Sequence, residues 1–107
     1  MNIEVLYVPG CPNYEPAVER IRKVLTSESV QVGIRAVSVN TEAEAKALLF
    51  PGSPTVRING EDVEPPRTDH TNATGLTCRL YANRTGVPSE DSLRLAVTRA
   101  KSAEQHT

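Results

Sequence analysis

At 107 residues and 11.6 kDa the chain has room for one domain, spanning 1–107, and with only 4% aromatic residues its core must rest on Val, Leu, Ile and Ala. Its net charge of -1 comes from 12 basic and 13 acidic side chains without a basic run, which removes the long-range attraction that nucleic acid or an anionic membrane surface requires. The opening MNIEVLYV has no leader pattern and no stretch approaches the roughly 18 apolar residues of a membrane span, so the expected location is the cytoplasm, where the acceptor patterns at Asn72 and Asn83 carry no glycan.

Residues 3–8 (IEVLYV) are almost continuously apolar, the pattern of a central strand covered on both faces. A helix over residues 14–27 follows, with Ala17, Ile21, Val24 and Leu25 at helical spacing and Glu19, Arg20, Arg22 and Lys23 toward solvent. Asn13 is its expected N-cap, and Pro16 falls in the first turn, where no intrahelical N–H is lost.

Residues 30–39 alternate through Val32, Ile34 and Ala36 and continue in Val37 and Val39, a second strand made parallel to the first by a right-handed crossover. Thr41 and Glu44 form a capping box for a helix through residues 42–50, with Ala45, Leu48 and Leu49 as its apolar face. Asn59-Gly60 suits the two positive φ angles of a type I′ turn and predicts a hairpin of residues 55–58 and 61–64.

An inserted segment, residues 66–82, starts polar and ends in LTCRLYA, whose alternation turns Leu76, Cys78 and Leu80 inward, as an extended piece or a half-buried turn of helix. Ser89 caps a last helix with Leu93, Ala96, Val97 and Ala100 inward, and residues 103–107 are expected to fray. The order βαβαββα predicts an α/β domain with a four-stranded mixed sheet and helices on both faces.

Two local motifs sharpen this order. Cys11 lies in GCPN between the first strand and the first helix, and GSPT (52–55) precedes the third strand. With these motifs and CRLY near the end, the chain resembles the thioredoxin-like superfamily over roughly residues 2–100, and within it a group of small bacterial thioredoxin-like proteins. Some members of that group carry selenocysteine at the place of Cys11, and some bear an alkylmercury-lyase label by similarity. The resemblance implies a thioredoxin-like fold, a cis bond before Pro54, thiol chemistry at Cys11, and substrate contacts from Pro12, Asn13, Ser53, Pro54 and Thr55. The chain departs from ordinary thioredoxins at Tyr14, where a second thiol would complete Cys-x-x-Cys.

A thiol reacts as its thiolate, which a helix N-terminus favours by roughly 0.3–1 kcal/mol, while Glu15 one turn in opposes it. Cys11 therefore reads as a mild, reducing-type nucleophile between Gly10 and Pro12, against the alternative of a small buried hydrophobe. An approach of Arg79 would strengthen it. Taken alone, Pro54 would be trans and would merely stop a helix together with Pro51. If cis, it would turn the N–H and C=O of Ser53 outward for an extended substrate to pair with.

Cys78 either resolves a mixed disulfide at Cys11 or packs beside Leu76 and Leu80. Asp69, His70 and His106 fit no closed zinc set, so neither a metal nor a cofactor is expected, and no Ser-His-Asp set or phosphate loop is present. Three functions follow: a thiol-disulfide oxidoreductase acting on a protein or small-molecule disulfide; a lapsed thioredoxin-fold module binding a peptide or a soft metal; and an organomercurial lyase, for which no proton donor is evident. The sequence sets no oligomeric state.

Overall fold

The computed structural model describes residues 1–64, 75–76 and 79–104. The element order is β1 (Ile3–Tyr7), α1 (Tyr14–Ser27), β2 (Ile34–Ser38), α2 (Glu42–Ala47), β3 (Thr55–Ile58), β4 (Glu61–Asp62) and α3 (Glu90–Glu104). These strands form one mixed sheet in the order β2, β1, β3, β4. β1 is parallel to β2, with Ile3 opposite Ile34, and antiparallel to β3, with Val5 opposite Val56. The expected α/β order, the mixed four-stranded sheet and the central place of β1 are all observed.

Alternation along β1 divides the core in two. Ile3 and Val5 point to the face where α1 (Ile21, Val24, Leu25) and α3 (Leu93, Val97, Ala100) pack with Val56 and Ile58. Leu6 points to the opposite face, onto Val39, Ala45 of α2 and Phe50. Helices therefore cover both faces. α1 starts and ends where the periodicity places it, and its buried residues are Ala17, Ile21, Val24 and Leu25. Among the described residues no helix is long and apolar enough to cross a membrane.

α2 is shorter than expected, for a local reason. Leu49 adopts φ 51, its N–H donates to Lys46 C=O at 3.2 Å, and Phe50 N–H donates to Ala45 C=O at 2.8 Å. This is a Schellman closure with Leu49 at the left-handed position that glycine normally marks. Burying Phe50 beside Ala45 throws Leu49 out to 73% exposure, so it lines no apolar face. α1 ends the same way, with Ser29 at φ 57 and Val30 N–H on Leu25 C=O at 2.9 Å.

β2 is shorter than residues 30–39. Val30 and Val32 pack on the core without strand pairing, and Ala36 is exposed because β2 is an edge with a neighbour on one side only. The type I′ turn forms, with Asn59 at φ 54 and Gly60 at φ 83. β4 stops at Asp62, whose carboxylate turns back to accept Glu64 N–H at 2.9 Å. Ser89 caps α3 by accepting Ser92 N–H at 3.1 Å, and the helix runs on to Glu104, which pairs with the Met1 amino group.

Candidate functional site

Cys11 lies half-buried in the loop leaving the carboxyl end of β1. A turn holds it: its N–H donates to Val8 C=O at 3.0 Å, and its own C=O receives Tyr14 N–H at 3.3 Å. The chain from β1 goes to α1 on one face, whereas the chain from the neighbouring β2 goes to α2 on the other. Cys11 thus sits at the point where adjacent strands of an open sheet send their connections apart, the place where such sheets leave a crevice.

The fourth position of the motif is committed to packing. The Tyr14 ring stacks on Tyr7 with centroids 4.2 Å apart at 37°. Asn13 takes the N-cap position but makes no side-chain capping bond, its backbone being at φ -96, ψ -1, outside the extended geometry a cap uses. Its amide instead lies against Gly86, where an added Cβ would collide with it. Pro12 is exposed. The loop before α3 is thereby brought to the Cys11 loop, a neighbour that sequence reading missed; Gly86 at a helix approach was the available signal.

The Ser53-Pro54 bond is cis, and Ser53 Oγ accepts Val8 N–H at 3.0 Å, tying this corner to the strand end that carries the Cys11 turn. Ser53, Pro54 and Thr55 are all buried. Of the Ser53 N–H and C=O expected to turn outward, the C=O does not, since it accepts Arg79 N–H at 3.0 Å, and the C=O of Pro54 accepts the Tyr81 hydroxyl. Thr55 is likewise spent internally, donating from Oγ1 to Gly52 C=O at 2.6 Å.

The Arg79 side chain is committed to the hairpin. Its guanidinium bonds both Asp62 oxygens, at 2.7 and 3.0 Å, together with Glu64 C=O and Thr55 Oγ1, and lies over the Tyr81 ring at 4.3 Å. Arg79 and Tyr81 are buried and Leu80 is 72% exposed, the reverse of the expected alternation. The inversion has a physical cause: a bidentate ion pair and a hydroxyl with a carbonyl partner satisfy the buried polar groups, which an apolarity pattern cannot foresee. Gly52 makes the approach possible. At φ 145 it suits glycine, and a Cβ there would stand 3.0 Å from the Arg79 Cβ and 3.1 Å from its Cα.

Cys78, Asp69, His70 and His106 lie outside the described residues, as do Asn72 and the rest of its acceptor pattern. Among the described residues there is no group of three His, Cys, Asp or Glu that could hold a metal ion. A cleft of about 490 Å³ between the hairpin and α3, lined by Ile58, Asp62, Val63, Ala96, Arg99 and Ala100 among others, is at the opposite end of β3; it shares Asp62 with the Arg79 clamp but is lined by neither Cys11 nor the Ser53-Pro54 corner. Comparison of the chain with family models, characterised proteins and solved structures finds no match.

Proposed function

We propose that the chain is a redox-active thiol protein of thioredoxin-like architecture, with Cys11 as the nucleophile of a thiol-disulfide exchange. The observation that carries this reading is the placement of a half-buried cysteine in the connection from the central strand, one hydrogen-bonded turn from a strand end tied to a cis-proline corner. The βαβαββα order and the mixed sheet support the fold assignment. Exchange asks little of the protein beyond an accessible thiolate, so Tyr14 at the fourth position is compatible with it, and a small external thiol or Cys78 resolves the mixed disulfide.

Alkylation followed by mass measurement tests the proposal. Cys11 is expected to react before Cys78, and Cys11→Ser to abolish reduction of a small disulfide. Equal disulfide reduction by Cys11→Ser would end the reading. Counting thiols after mild oxidation decides the resolver: loss of both without a dimer assigns it to Cys78, and retention of two free thiols assigns it to an external thiol.

A further inference from the structure

The two carbonyls that flank the cis bond are occupied by one segment of the same chain. Ser53 C=O holds Arg79 N–H at 3.0 Å, Pro54 C=O holds the Tyr81 hydroxyl, and the Arg79 backbone presses on Gly52. That segment is anchored at its side chains by Asp62, Glu64 and Thr55, with Arg79 only 9% exposed. An extended peptide adding itself as a strand would need the Ser53 carbonyl free. Its competitor is intramolecular, with an effective concentration of about millimolar or above, so a peptide at micromolar concentration does not displace it.

We infer that Cys11 serves low-molecular-weight disulfides rather than disulfides within extended polypeptide, because the carbonyls of the cis-proline corner tied through Val8 to its loop are already paired. This inference rests on the thiol reading above and narrows it. The Cys11 thiolate attacks one sulfur of the small disulfide, forming a mixed disulfide and expelling the other sulfur as a thiolate, which takes a proton from water. A second small thiol, as its thiolate, then attacks the non-protein sulfur. The Cys11 thiolate leaves and a new small disulfide is released.

The test compares two disulfides with the same leaving group on the full chain: bis(2-hydroxyethyl) disulfide, and a ten-residue extended peptide joined to 2-mercaptoethanol through a central cysteine. Cys11 is expected to react with the peptide no faster than with the small disulfide and without saturation. A peptide rate about tenfold higher or more, or saturation by the peptide, overturns the inference while leaving the thiol reading intact. Reaction with neither overturns both. In Arg79→Ala, or in Tyr81→Phe should the first fail to fold, the peptide rate is expected to rise about tenfold relative to the small disulfide, and an unchanged ratio in the folded variant overturns the inference.

Discussion

The Arg79 guanidinium closes two hydrogen bonds on the Asp62 carboxylate, Nη1 to Oδ2 at 2.7 Å and Nη2 to Oδ1 at 3.0 Å, with the two side chains only 7% and 12% exposed. This pair holds the segment after residue 78 to the hairpin, and through Arg79 N–H to the cis-proline corner. A buried pair is worth little against apolar isosteres, but removing one partner strands the other's charge. Asp62→Ala is therefore expected to cost about 3–5 kcal/mol, a large part of the roughly 5–15 kcal/mol available to a domain. Asp62→Leu combined with Arg79→Met should cost less than Asp62→Ala alone. Urea denaturation of the three proteins checks this; a loss below about 1 kcal/mol for Asp62→Ala would mean that water reaches the guanidinium as it reaches a surface pair.

The Asn13 position reverses an ordinary rule. Losing an N-cap side chain usually costs about 1 kcal/mol, yet Asn13 accepts no bond from the first turn of α1. Asn13→Ala should cost less than about 0.5 kcal/mol. Gly86→Ala should cost about 1 kcal/mol or more, because its methyl group enters the space of the Asn13 amide. In Asn13→Ala/Gly86→Ala the methyl finds room and most of that loss returns, a coupling that a double-mutant cycle on denaturation midpoints resolves. Additive losses would show that the two loops are not in contact.

What the sequence made legible follows from which forces leave a periodic mark. Ala17, Ile21, Val24 and Leu25 bury one helical stripe, and Asn59-Gly60 must supply two positive φ angles, so both were readable from residues alone. The end of α2 was not, because Leu49 fills a position that glycine usually signals and only the burial of Phe50 determines it. The phase of residues 79–81 was misread for a related reason. Apolarity favoured Leu80 inward, while the partners that make Arg79 and Tyr81 buriable, Asp62 and Pro54, are 17 and 27 residues away. At the site itself, the cysteine loop and the proline corner were found by their motifs, but the internal pairing of Ser53 depends on a tertiary contact that no local pattern carries.

Tyr81 gives the clamp a dependence on alkaline pH. Burial pushes its phenol well above the ordinary value of 10.0; the Arg79 charge pulls the other way without overcoming it, and Asp62 and Glu64 add to the rise. The folded protein thus prefers the neutral phenol, whereas the unfolded chain ionises near its ordinary value. The stabilisation is complete below pH about 10 and declines above it, by up to about 1.4 kcal/mol per pH unit until the folded value is reached. Tyr81→Phe removes the hydroxyl bond to Pro54 C=O and should be less stable than the parent by about 1 kcal/mol at neutral pH. Because the phenylalanine cannot ionise, that deficit should shrink as pH rises past about 10, and urea midpoints of the two proteins between pH about 9 and 11 should converge. Parallel curves over the same range would mean that the phenol titrates as freely in the folded chain as in the unfolded one, and that the Arg79 segment is not sealed against the proline corner.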